Sequence, residues 1–201
     1  MSAVRDQVLA AGLAVFDRDG LEGGTVAAIR QRAGLSNGSF FHLFKSKQEL
    51  AGALFVDVLR RYHAAIVAPF DGAAIGAAAG IERLIRAHLD WVMSHRLEAR
   101  FLFEIARNDW GGEVRAAQRA ENDKLAERLD GWRQPLLLRG ELVAMPAALF
   151  FAQLIGPAQM LCRGWLSGRD RSDPRQHADQ LIDCAIRALV VPPRANLEDS
   201  P

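Results

Sequence analysis

Apolar residues in this chain recur three and four positions apart, a spacing that an α-helix gathers onto one face and a β-strand scatters over both. Leu50, Leu54, Val58 and Tyr62, with Ala51, Phe55, Leu59 and Ile66 beside them, fill one such stripe. Ile81, Leu84, Ile85, His88, Leu89 and Val92 form another, and Ala178, Leu181, Ile182, Ala185, Ile186 and Leu189 a third. Each predicts an amphipathic helix with a buried face. The residue types agree, since 33 alanines and 25 leucines outnumber the 21 valines and isoleucines combined. The expected fold is all-α, broken by glycine- and proline-bearing segments at 20–24, 69–80, 108–112 and 167–174. The stretch 192–201, with Pro192, Pro193 and Pro201, is expected to be a frayed tail.

The totals exclude several classes. With 201 residues, half of them apolar, and 25 Lys+Arg against 24 Asp+Glu, the chain is neither a solvating acidic protein nor a basic tail. Cys162 and Cys184 match neither a disulfide framework nor a zinc-site spacing, so small buried thiols in a reducing cytoplasm are expected, with no metal and no cofactor. The first twenty residues carry Arg5, Asp6, Arg18 and Asp19, so no secretory leader is expected. From Leu142 to Cys162 only Gln153 and Gln159 interrupt an apolar run of about bilayer length. Pro146, Gly156, Pro157 and the lack of flanking Lys/Arg clusters argue instead for a helix buried between domains or subunits, with no membrane partner.

Before residue 46 the helices read as short and tightly punctuated; after it they are longer. Thr25 is placed to cap a helix running to Arg32, because its hydroxyl can accept an otherwise unpaired N–H. Ala33-Gly34 ends that helix, and Ser36 caps a second over roughly Asn37 to Phe44. Two short helices joined by a glycine-bearing turn make a helix-turn-helix. Ile29, Leu35, Phe40 and Phe44 fall on its inward side, leaving Asn37, Gly38, Ser39, Phe41 and His42 where a recognition helix meets the major groove. Thr25 and Ser36 can reach phosphates, and Lys45 and Lys47 follow. Between Gly24 and Gln48 stand Arg30, Arg32, Lys45 and Lys47 and no acid, a local charge of +4 against −3 for everything else. Ser46-x-x-Glu49 then reads as a capping box opening a long helix that ends near Ile66.

Thr25-Val26-Ala27-Ala28-Ile29, Ala33-Gly34-Leu35-Ser36, Gly38-Ser39-Phe40-Phe41-His42-Leu43-Phe44 and Ser46-Lys47-Gln48-Glu49-Leu50 resemble, in order and spacing, the DNA-binding signature of the tetracycline-repressor (TetR) family. Phe16 and Gly20-Leu21 extend the resemblance upstream to about a quarter of the chain. It implies a helix-turn-helix DNA-binding domain at 1–46 and a ligand-binding and dimerising domain at 47–191. By position it matches Thr25, Ser36 and Lys47 to phosphate contacts and Asn37, Gly38, Ser39, Phe41 and His42 to groove-facing positions. Three residues depart from the family pattern: Phe41 where Tyr is frequent, Leu43 where His or Tyr is frequent, and Arg30 where Ala is usual. For Arg30, either the stem packs while the head reaches solvent or DNA, or the helices cross differently.

The resemblance further implies a homodimer on double-stranded operator DNA, joined through helices near 142–166 and 174–190. A small molecule bound in the body would release the operator; an activator, or a regulator without a ligand, is the alternative. Tyr62, Trp91, Phe101, Phe103, Trp110, Phe151, Met160 and Trp165 offer apolar surface for an effector, and His88, Gln153 and Gln159 could orient it. With no cluster of like charges there, a hydrophobic or aromatic, near-neutral effector is expected. No enzyme is expected: the histidines are scattered, and no phosphate-binding glycine loop, HExxH or GxSxG occurs.

Overall fold

A computed structural model describes residues 3–70, 74–105 and 111–192. Among them the chain forms α1 (Ala3–Gly23), α2 (Val26–Arg32), α3 (Asn37–Leu43), α4 (Lys47–Val67), α5 (Ala77–Ser94), α6 (Arg96–Ile105), α7 (Gly112–Leu138), α8 (Ala147–Leu166) and α9 (Ala178–Leu189). Single 3-10 turns occupy Ala68–Phe70 and Pro174–His177. The fold is all-α as expected; an isolated antiparallel bridge between Leu142 and Val190 is the extended pairing among the described residues. No helix among them is long and apolar enough to cross a membrane. Trp110 and most of the 192–201 stretch lie outside the described residues.

The chain divides into two compact units. The first takes the chain up to Ala65 and resumes at Trp91–Leu125. Within it α1 packs on α2 and α6. Phe16 stacks on Phe101 with ring centroids 6.0 Å apart, and the Arg100 guanidinium pairs with the Asp17 carboxylate and donates to its carbonyl. The α4 stripe predicted from spacing is the core here: Leu50, Ala51, Leu54, Phe55 and Val58 are fully buried. Glu121 on α7, itself buried, receives Arg60 of α4 at 3.2 Å and Lys124 at 3.1 Å.

The second unit comprises Ile66–Asp90 and the chain from Ala126 on. There α8 packs on α9, which buries Ala178, Ile182, Ala185 and Leu189, the i, i+4, i+7, i+11 face of the third stripe. His88 of α5 is fully buried, and desolvation pushes its imidazole down to about 4. Arg133 of α7 is buried as well, held by Asp130 (2.9 Å), by the Met145 carbonyl (2.8 Å) and by the Phe150 ring beneath its guanidinium.

The apolar run at 142–162 is not one helix. Pro146 cannot donate an N–H and disfavours helical backbone in the residue before it, so α8 starts only at Ala147. Upstream the chain is extended: Val143 N donates to Leu189 O (2.8 Å) and Val191 N to Glu141 O (2.9 Å). Nor is α8 buried on every side within this chain. Leu149, Ala152, Gln153, Pro157 and Met160 are exposed along one stripe, Met160 at 65%.

Candidate nucleic-acid interface

The two short helices are set by the caps their sequence supplies. The Thr25 side chain accepts from Ala28 N at 3.1 Å, and Ser36 Oγ accepts from Ser39 N at 3.1 Å. Between them Gly34 takes φ +63°, which only glycine adopts without strain. Leu35 N then donates to Arg30 O (3.0 Å) and Gly34 N to Gln31 O (3.2 Å), the paired closure of a Schellman motif. Gln7 of α1 donates to Ala33 O at 3.0 Å, which ties the turn to the first helix.

This frame buries one side of α3 and exposes the other. Ile29, Phe40 and Phe44 are buried as predicted, and Leu35 is half-buried. Asn37, Gly38, Ser39, Phe41 and His42 are exposed together, with Phe41 at 46% and its ring edge-on to Phe40 at 5.4 Å. An exposed amide, hydroxyl, imidazole and phenyl on the first two turns of one helix can read base edges, the phenyl through a thymine methyl. Thr25 and Ser36 are exposed too; the Thr25 hydroxyl that accepts as a cap still has its own proton to give to a phosphate, whereas Ser36 Oγ is also hydrogen-bonded to Ser39 Oγ at 2.8 Å.

The four cations of the module do not all face outward. Arg32 and Lys45 are exposed. Lys47 Nζ donates to the carbonyls of Leu21 (2.8 Å) and Glu22 (2.9 Å), so it satisfies the open end of α1. Arg30 Nη1 donates to Leu35 O at 3.2 Å, and its Nε is buried without a hydrogen-bond partner. For Arg30 the stem packs, but the head donates to the turn in place of reaching outward, so neither alternative holds in full. Ser46 Oγ accepts from Glu49 N (3.1 Å) and Glu49 accepts from Lys45 N (2.7 Å), which starts α4 where the capping box predicted. Two contacts escaped the sequence reading, Gln7 to Ala33 and Arg5 over the Phe44 ring at 4.6 Å. Both join residues far apart in the chain, and no local pattern marks them.

Residues 8–54 match the sequence profile of the bacterial regulatory proteins of the tetR family. That segment carries the family's DNA-binding module. A module of this type binds DNA in transcription regulators. The fold of the chain is that of solved TetR-type structures over nearly the whole length. A tetR-family regulatory protein from Rhodococcus RHA1 superposes with TM-score 0.77 at 19% identity, covering 93% of this chain and 97% of that one. The fatty acid degradation regulator FadR of Bacillus halodurans gives 0.76 at 15% identity, covering 100% and 99%. FadR of Bacillus subtilis, solved in complex with stearoyl-CoA, gives 0.76 at 16%, covering 90% and 97%. No curated protein matches the chain at the sequence level.

The residues expected to receive an effector fall into both units. In the first, the half-buried Tyr62 meets Trp91 edge-on at 4.8 Å, and Trp91 stacks on His95 at 5.3 Å. Phe101 and Phe103 are buried there, Phe101 against Phe16. In the second, His88 is buried, while Phe151 is half-buried and edge-on to Phe150 at 5.4 Å. Gln159 and Trp165 are half-buried; Gln153 is exposed beside Leu149 and Met160 on the outer stripe of α8.

Proposed function

We propose that this chain is a homodimeric TetR-type repressor that grips a palindromic operator with two copies of α3 and releases it when a small molecule binds the body. The observation that carries the DNA-reading half is the concentration of Asn37, Ser39, Phe41 and His42 on the exposed opening turns of a helix whose other side is locked into the module core. Residues 1–46 act as the DNA-binding domain and 47–191 as the effector and dimer domain. The dimer reading is supported by the exposed apolar stripe of α8, where Leu149, Ala152, Pro157 and Met160 have no cover within the chain. The outer face of α9 is more polar, with Gln180, Asp183, Cys184 and Arg187 exposed, so α8 would supply the apolar centre and α9 the rim. Two free cysteines fit a cytoplasmic setting.

The effector reading is supported by the likeness to a regulator solved with a bound acyl-CoA. Paired half-sites sit about one DNA turn, ~34 Å, apart, so an effector that favours a different separation of the two modules weakens binding. A coupling of about 1–3 kcal/mol suffices. The test is fluorescence anisotropy on the promoter of the chain's own gene, with footprinting to find the palindrome and a metabolite panel added to the complex. Specific protection of an inverted repeat that a panel member dissolves is the expected result. Failure to protect any inverted repeat refutes the operator reading, and a complex that every ligand leaves intact refutes induction.

A further inference from the structure

Nothing inside the chain requires the glycine at position 38. It is the second residue of α3, its φ is not left-handed, and a Cβ built on it would meet nothing within 4 Å. Backbone conformation and packing therefore both admit alanine, which favours a helix more. What the missing side chain does is lower the surface at one point of the exposed face of α3. Phe41 and His42 stand at i+3 and i+4 from it, so the three positions are neighbours there, and all three are exposed.

Helical side chains lean toward the N-terminal end, so the Phe41 ring borders the open space over Gly38. The ring is braced from behind: it lies edge-on to the fully buried Phe40 ring, with centroids 5.4 Å apart, and keeps 46% of its surface exposed. The result is a notch with the Gly38 backbone as floor and a positioned phenyl as wall. A methyl carbon packs at about 3.5–4.0 Å from its neighbours, and a Cβ at residue 38 would stand in the space it needs.

The chemistry of this face selects what enters the notch. Phe41 neither donates nor accepts a hydrogen bond, so against a polar base edge it would strip water and return nothing. The apolar group on the major-groove edges of the bases is the thymine C5-methyl. Guanine is most often read by a bidentate Arg or Lys, and α3 has neither between Asn37 and Leu43; the exposed Arg32 and Lys45 stand outside it. The Ser39 hydroxyl, on the same turn, is engaged with Ser36 Oγ at 2.8 Å. We infer that the notch between Gly38 and Phe41 seats a thymine C5-methyl, which makes thymine at one position of each half-site a specificity determinant. The inference rests on the reading of α3 as the helix that enters the operator's major groove. The base preference is the same whether the bound regulator represses or activates.

The test uses duplexes selected by the full chain from a random pool. Each thymine of the selected half-site, together with its symmetry mate, is replaced in turn by deoxyuridine, which keeps the base pair and lacks only the methyl. Anisotropy titrations should show one symmetric pair at which affinity falls about fifteenfold, about fourfold for each methyl. Gly38→Ala should bind the thymine duplex more weakly and erase that difference while melting no lower than the parent, since alanine is the better helix former. Phe41→Ala should erase the difference as well. An inverted repeat in which no deoxyuridine costs more than about twofold would overturn the inference and leave the operator reading standing. So would a folded Gly38→Ala that keeps both the parent's affinity and its full deoxyuridine penalty. Selection of no inverted repeat would overturn the operator reading itself, and this inference with it.

Discussion

The salt dependence of operator binding separates what the sequence counts from what the structure exposes. Four cations stand between Gly24 and Gln48, so a dimer brings eight. If all neutralised phosphates, log K would fall with log salt at a slope of about −7, and affinity would drop about 20,000-fold from ~50 to ~200 mM salt. Lys47, however, is held by the Leu21 and Glu22 carbonyls, and Arg30 by the Leu35 carbonyl. Arg32 and Lys45 are the two left facing solvent in each module. A dimer then releases about four counterions, the slope is about −3.6, and the loss over the same range is about 150-fold. Anisotropy titrations at five salt concentrations measure this directly. Arg32→Gln and Lys45→Gln should each flatten the slope by about 1.8. Lys47→Met should leave the slope alone and lower stability by about 1–2 kcal/mol, since it strips two carbonyls of a charged donor. A parent slope near −7, or a Lys47→Met slope flattened like that of Lys45→Gln, would refute the reasoning.

Three further outcomes follow from burial. Phe40→Ala should cost about 3–5 kcal/mol in urea denaturation because the ring is fully buried, whereas Phe41→Ala, at a half-exposed position, should leave stability within about 1 kcal/mol and weaken operator binding. An unfolded His88 titrates near 6.5 and the buried one at about 4, so between these values the unfolded chain holds more protons and stability falls as pH falls, by about 3 kcal/mol in total. His63, pushed the same way chiefly by burial, adds to that loss; His88→Leu should flatten the stability curve between pH 6.5 and 4, and an unchanged curve would count against it. Burial raises the Cys162 thiol to about 12, so iodoacetamide followed by mass spectrometry should leave Cys162 unmodified until the chain is unfolded.

The helix-turn-helix was legible because its determinants are local. Thr25 and Ser36 cap helices a few residues long, Gly34 supplies the left-handed exit, and the spacing of Ile29, Phe40 and Phe44 fixes which side is core. The fate of the charges was not legible, since Lys47 finds its carbonyls 25 and 26 positions back in the chain. Pro146 did mark the true start of α8, yet the weight of the apolar run overrode it, and the pairing of Leu142 with Val190 links segments nearly fifty residues apart. Trp132 meets Phe70 edge-on and lies against Gly80, contacts across more than fifty residues that the local order does not mark.

By itself, then, the sequence determined the helical class, the two short capped helices and the family they belong to, because caps, turns and periodicity act over spans of three to eleven residues. The tertiary structure alone decided which cations of the module face solvent and which aromatic rings meet. Those outcomes depend on contacts between distant segments, and a hydrogen bond or a close approach of that kind leaves no mark in the local order of residues.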